Sequence, residues 1–238
     1  MDGYGDDLAA IHAAGFTGLA RAAARELLAR LDRPARVVDL GCGDGTTAAL
    51  LSAADHDVLG IDSSPAQIEL ARRRAPAATF RVASFVDAEL PRPCDAIVAA
   101  GEVLGYALDF RNDAATLDAV LARVAAALRP GGLLLFDLAG PGRVPPTGRQ
   151  SWTEAEGWAV LAETRERPGA IERRIVTFRD PGDGRVRRVE EIHRLVLHRP
   201  THVLARLRGA GFTARVLACG YADQPLPPGL TAYLARRR

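Results

Sequence analysis

A glycine-rich turn set between the first strand and the first helix of an alternating strand–helix pattern leaves this chain few folds to choose from. Arg36–Leu40 reads as a strand that runs straight into Gly41-Cys42-Gly43-Asp44-Gly45. A helix through Ala48–Ala54 follows, then a strand at Asp57–Ile61. Ser64-Pro65-Ala66-Gln67 predicts a helix start, with Ser as N-cap, Pro in the first turn and Gln three residues on. Thr79–Val82, Ala96–Ala100 and Leu133–Leu138 read as further strands. Leu117, Val120, Leu121, Val124 and Leu128 repeat at helical spacing, and Pro130-Gly131-Gly132 stops that helix. Repeated strand–helix units of this size predict an α/β fold: a Rossmann-like, doubly wound, seven-stranded sheet with helices on both faces.

The pattern breaks between Ala139 and Pro200. Gly and Pro cluster at 140–148, and strand-like segments follow at about 158–166, 171–179 and 185–198, joined by Arg167-Pro168-Gly169 and Asp180-Pro181-Gly182-Asp183-Gly184. This predicts an antiparallel meander inserted into the α/β unit. A helix from Thr201 and strands at Thr213–Cys219 and Leu230–Ala235 then resume the α/β pattern. The 238 residues therefore read as one domain. Residues 1–32 are expected to form an N-terminal helical lid, 33–139 and 200–238 the core, and 140–199 an inserted β lid for acceptor binding.

Composition removes several kinds of chemistry. All 31 basic residues are Arg, so no mechanism that needs a lysine is open. The net charge of +2 gives no field to gather nucleic acid. Cys42, Cys94 and Cys219 are odd in number and far apart, which suits a reducing compartment. With no signal-peptide pattern and no apolar run of about 18 residues, a cytoplasmic protein away from membranes is expected.

The glycine turn carries the ligand signal, because glycines let a ligand lie against bare backbone. A dinucleotide loop wants a third glycine where Thr46 stands. Asp39, just ahead of the turn, would repel a pyrophosphate but attract a ligand with a free amino group. Asp62, at the end of the second strand, can accept hydrogen bonds from both hydroxyls of a ribose.

VVDLGCGDG (37–45), VLGIDSSPAQIELARRR (58–74), ASFVDAELP (83–91), CDAIVAAGEVLGY (94–106), LRPGGLLLFD (128–137) and LRGAGF (207–212) together resemble the class I S-adenosylmethionine-dependent methyltransferases of small-molecule type. The resemblance implies S-adenosylmethionine as cofactor and S-adenosylhomocysteine as product. It implies that Asp39, Gly41, Cys42 and Gly43 face the methionine part, and that Asp62 holds the ribose. Ser63, Ser84 and Phe85 would lie at the adenine, with Gly101 near the sulfonium. Ser84 stands where an acidic residue is usual in that family, and Ser63 where an apolar one is usual. A protein that binds S-adenosylmethionine or S-adenosylhomocysteine without methyl transfer, as a cofactor-cyclising enzyme or a regulatory module, is the alternative.

The acceptor is expected to be a small molecule, methylated on O or N. The loop after the fourth strand reads Gly101-Glu102-Val103-Leu104-Gly105-Tyr106, without the Pro-Pro-aromatic motif of base-modifying members. Alternation along Arg185–His198 puts Val189, Glu191, His193, Leu195 and Leu197 on one face. An acid and an imidazole on an otherwise apolar face need a partner or a ligand. Glu191 and His193 are therefore the expected proton-handling pair, with Glu102 at the mouth of the fourth strand as a third catalytic candidate. Tyr4, His12 and Tyr106 rank below them. The five histidines are dispersed, with no Cys/His spacing for a metal. Monomer and homodimer are both compatible with the sequence.

Overall fold

β1 (Arg36–Leu40), β2 (Asp57–Asp62), β3 (Thr79–Val82), β4 (Cys94–Ala99) and β5 (Leu128–Ala139) lie parallel in the spatial order β3-β2-β1-β4-β5. The computed structural model that shows this describes residues 4–107, 113, 115–222 and 224–238. β11 (Leu230–Arg237) adds antiparallel to β5, and β10 (Phe212–Val216) adds antiparallel to β11, completing the seven-stranded sheet. Strand order reverses between β1 and β4. At such a switch point the loops leaving two neighbouring strands part to opposite faces and open a crevice at their carboxyl ends.

Both faces are covered. Leu117, Val120, Leu121 and Val124 of α5 (Thr116–Ala127) pack with Val203 and Leu207 of α6 (Pro200–Gly209) on one face. The other carries Ala22, Ala23 and Leu27 of α2 (Gly18–Leu28), Leu51 of α3 (Thr46–Ser52) and Ile68 of α4 (Pro65–Arg74). Each fully buried Leu, Ile or Val contributes about 1.5–3 kcal/mol, and this is what fixes the helices to the sheet. Ser64 caps α4 by accepting the Gln67 N–H at 3.3 Å. The reciprocal half of the capping box does not form, because Oε1 of Gln67 has no partner.

The inserted meander has four strands, not three: β6 (Arg149–Ala155), β7 (Trp158–Arg167), β8 (Ala170–Arg179) and β9 (Arg187–Val196), antiparallel in that order. β6 escapes a reading by hydrophobic alternation because every one of its residues is exposed. The meander sits at the carboxyl edge of the large sheet. Tyr106, beyond β4, bridges to Leu195 of β9, and the Ala107 N–H donates to the Arg194 carbonyl at 2.7 Å.

Residues 4–32 divide between two jobs. Leu8 and Ile11 of α1 (Asp6–Gly15) pack on Val160 and Ile175 of the meander. Buried Asp7 is gripped by Arg179 at 3.0 Å and Arg187 at 2.5 Å. α2 instead belongs to the core face, where Glu26 accepts the Ala222 N–H at 2.7 Å. Only the first of the two helices can act on the crevice.

Candidate active site

The turn after β1 is forced by its glycines. Gly41 has φ +66°, and a Cβ there would stand 2.5 Å from the Val103 side chain. The Gly41 and Cys42 N–H groups both donate to the Ile61 carbonyl, at 2.7 and 3.1 Å, tying the turn to the end of β2. Asp62 then spans the two elements, accepting from Gly43 N–H at 3.0 Å and from Ser64 N–H at 2.9 Å. Burial raises the pKa of Asp62, and these backbone donors restrain the rise. Asp39 is almost wholly buried, with no partner for Oδ2. Burial, and then the neighbouring Asp62 and Asp44 carboxylates, push its pKa well up. A buried carboxyl with an orphaned oxygen and like charges beside it is stabilised by a proton or by a cation.

One cavity gathers most of the residues the sequence singled out. Gly41, Gly43, Asp62, Ser63, Ser84, Phe85 and Gly101 line it. Asp39 and Cys42 do not reach its wall. The Cys42 sulfur packs inward against Gly60, and burial raises the thiol pKa well above its usual range, so the side chain is an inert filler. The remaining wall includes Tyr4, His12, Gln67, Val103 and Tyr106. Nothing local in the sequence announces Gln67 or Val103, which reach the cavity from the first turn of α4 and from the turn after β4.

The three expected catalytic residues are placed differently from the expectation. Glu191 and His193 do share an inward face of β9, and they meet, with His193 Nε2 and Glu191 Oε2 2.9 Å apart. Neither lines the cavity. Glu191 accepts the N–H of Tyr4 at 2.9 Å and of Gly5 at 3.2 Å. The ring of His193, with no solvent exposure, packs 5.1 Å from that of Tyr4 and 5.7 Å from that of Tyr106. The pair backs the wall because the N-terminal segment, distant in sequence, covers the face that alternation exposed.

Glu102 is also turned from the cavity. It sits in the left-handed region at φ +63°, buried, between Arg143 at 2.9 Å and Arg173 at 3.2 Å. Burial alone would raise its pKa, but Arg173 and Arg143 outweigh burial and hold the carboxyl below its usual range. Arg173 reaches on to the Tyr106 hydroxyl at 3.2 Å, which lies 3.4 Å from the Tyr4 hydroxyl. Beneath Glu102, Asp137 accepts the N–H groups of Gly101 and Glu102 at 2.9 and 2.6 Å and the Tyr221 hydroxyl at 2.9 Å. Burial nevertheless lifts the Asp137 pKa to about 6. Among the described residues no cluster of His, Cys, Asp or Glu could hold a metal.

Residues 37–132, which contain the glycine turn, Asp62 and the β4 loop, match the family model described as a methyltransferase domain. Over that stretch the chain is similar to a methyltransferase domain. Trans-aconitate 2-methyltransferase of Methylobacterium radiotolerans is 41% identical over 119 residues, 48% of this chain and 43% of that protein. The trans-aconitate enzyme of Methylobacterium nodulans is 33% identical, over 65% of this chain and 58% of its own length. The chain thus spans about half the length of these curated relatives. A dTDP-3-amino-3,4,6-trideoxy-α-D-glucopyranose N,N-dimethyltransferase of Streptomyces venezuelae is 28% identical over 85% of this chain and 86% of its own.

Solved structures share the fold throughout. A methyltransferase from Clostridium acetobutylicum superposes with TM-score 0.80 at 14% identity, covering 96% of this chain and 97% of its own. A sugar N-methyltransferase from Streptoalloteichus gives TM-score 0.77 at 24% identity, covering 100% and 97%. S-adenosylmethionine is the cofactor of this domain class, and the donor set fits it. Orphaned Asp39 Oδ2 can meet an ammonium, and the Asp62 carboxylate on the wall can meet a ribose.

Proposed function

We propose that this chain transfers a methyl group from S-adenosylmethionine to an O or N atom of a small-molecule acceptor, leaving S-adenosylhomocysteine. The observation that carries this reading is the unpartnered carboxylate oxygen of Asp39 beside a cavity lined by Gly41, Gly43 and Asp62. A dinucleotide pyrophosphate would be repelled there; a ligand that carries both an ammonium and a ribose would be held at each.

S-adenosylmethionine supplies a methyl group on a sulfonium, which an acceptor nucleophile must approach in line with the sulfur. The chain's own contribution is binding, orientation and exclusion of water. Asp39 takes the ammonium and Asp62 the ribose hydroxyls. Ser63, Ser84 and Phe85 contact the adenine, while the bare backbone at Gly41, Gly43 and Gly101 allows close approach. Tyr4 and Tyr106 form the acceptor end of the wall and shield it from water. Glu191, His193 and Glu102 are positioning residues: the first two hold Tyr4, and Glu102 fixes Arg173, which holds the Tyr106 hydroxyl. No helix among the described residues is long and apolar enough to cross a membrane. The protein acts in the cytoplasm on a small molecule, as a monomer or a homodimer, with no nucleic-acid partner.

The relatives set the order of acceptors to try: dTDP-amino sugars, for the relative that aligns over most of its length, then trans-aconitate. Release of S-adenosylhomocysteine in the presence of one acceptor and not without it is the expected result. Consumption of S-adenosylmethionine with no acceptor present would instead point to a cofactor-cyclising enzyme. Calorimetry that shows NADH binding and no S-adenosylmethionine binding overturns the assignment.

A further inference from the structure

We infer that His12 receives the carboxylate of the cofactor's methionine part and takes up a proton when it does so, an inference that rests on the cofactor reading above. His12 lines the cavity, yet its Nδ1 is buried with no hydrogen-bond partner. Its backbone is placed over the glycine turn. Arg74 of α4 ties Asp44, within that turn, to the carbonyl of Ala13, next to His12, at 3.3 Å. An imidazole on the cavity wall, tied to the glycine turn and with one ring nitrogen buried and unpartnered, has a polar requirement that the protein does not meet.

Charge decides which ligand group that partner is. Bound S-adenosylmethionine brings two cationic groups and one carboxylate. The ammonium has Asp39; the carboxylate needs a cation or several donors, because desolvating it unpaired is costly. The chain has no Lys. No Arg lines the cavity among the described residues, and Arg143 and Arg173 nearby are committed to Glu102. His12 is the one described wall residue whose side chain can become a cation. Its place in the last turn of α1 favours the charged form, because the helix carbonyl ends point toward it.

The protein's own surroundings of His12 favour the neutral ring. Burial keeps the His12 pKa below the usual histidine range, and Asp44 only partly offsets this, so the ring is neutral near neutral pH. The groups that face it are few. The Tyr4 ring lies 5.5 Å away, and burial raises the pKa of that phenol well above its usual range, so it stays neutral. The Phe16 ring stacks at 5.9 Å. Asp44 approaches from the glycine turn with Arg74 already on it, and Asp62 stands on the same cavity wall. A carboxylate entering this site raises the His12 pKa, and one proton moves from solvent to the imidazole with no bond made or broken in the ligand.

Calorimetry in phosphate and in Tris at pH 7, buffers of unlike ionisation enthalpy, reads proton uptake directly. The ligands are S-adenosylmethionine and decarboxylated S-adenosylmethionine, which keeps the amine and sulfonium and lacks only the carboxylate. The wild-type protein is expected to take up more protons with the first ligand than with the second. His12→Gln should erase that difference and weaken S-adenosylmethionine by about ten- to a hundredfold, the range of a hydrogen bond to a charged group. Its affinity for the decarboxylated ligand should be unchanged, which also shows that the variant is folded. Equal uptake with both ligands, or the same difference in His12→Gln, overturns the inference and leaves the cofactor reading standing. Failure of the wild-type protein to bind either ligand overturns the cofactor reading itself.

Discussion

Glu191 accepts the backbone N–H of Tyr4 at 2.9 Å, across 187 positions of sequence. Ser64, the cap of α4, donates to the carbonyl of the same residue at 2.7 Å. Tyr4 is thus stapled on one side to the inserted sheet and on the other to the core, and its ring closes the cavity between them. The meander and the core together fix the N-terminal segment, because each holds Tyr4 from one side.

Removing the staple should loosen the cover before it unfolds the protein. Glu191→Ala deletes hydrogen bonds to two N–H groups and to His193, each worth about 1.5–3 kcal/mol when the acceptor is charged. Amide hydrogen exchange over residues 4–8 is expected to accelerate at least tenfold, with β1 and β4 still protected. Uniform loss of protection across the sheet would show that the staple is instead part of the global core.

Asp62 should matter for binding more than for folding. Asp62→Asn keeps an oxygen for one backbone donor but removes the charge, so S-adenosylmethionine affinity should fall by about 1.5–3 kcal/mol. The melting temperature should move by only a few degrees. Calorimetry and a melting curve on the same sample separate the two effects, and an unaltered affinity would remove Asp62 from the ribose.

Gly41 admits no side chain. Gly41→Ala forces a Cβ into the left-handed region and to within 2.5 Å of Val103. Backbone strain of about 1–3 kcal/mol is expected, together with loss of cofactor binding. Val103→Ala in the same chain relieves the clash but not the strain, so the double variant should recover only part of the stability in chemical denaturation.

The Glu102 cluster should behave as a buried ion pair. Arg173→Met leaves Glu102 with Arg143 alone and is expected to cost about 3 kcal/mol, the lower end for breaking such a pair. Adding Glu102→Gln should restore part of that loss, since the uncompensated charge is then gone. A double variant less stable than Arg173→Met would argue that Glu102 acts through shape and not charge.

Asp137 gives a pH signature with a definite sign. Its folded pKa of about 6 lies above the unfolded value of 3.8, so the folded state binds the extra proton between those limits. Its contribution to stability is fully present below about pH 4 and is lost as the pH rises through 6, a span of about 3 kcal/mol. The difference in unfolding free energy between wild type and Asp137→Asn should therefore shift toward the variant from pH 4 to pH 7. A flat difference would mean that Asp137 is ionised throughout.

The sequence alone determined the parts of this protein that rest on local rules. The glycine turn, the Ser64 cap, the α5 stripe and the strand period are each written in a few neighbouring residues, and from them follow the parallel sheet, the crevice at its carboxyl edge and the wall positions Asp62, Ser84 and Gly101. The inward parity of Glu191 and His193 was legible for the same reason, and both are buried. What they face was not legible. Alternation states which side of a strand a residue takes but not which distant segment will cover that side, and here Tyr4 covers it. The same limit hid Arg143 and Arg173, whose guanidiniums turn Glu102 from an open carboxylate into a buried ion pair, and it hid β6, which has no buried residue to give it a period. Periodicity fixes faces; only packing between segments far apart in the chain chooses the partners.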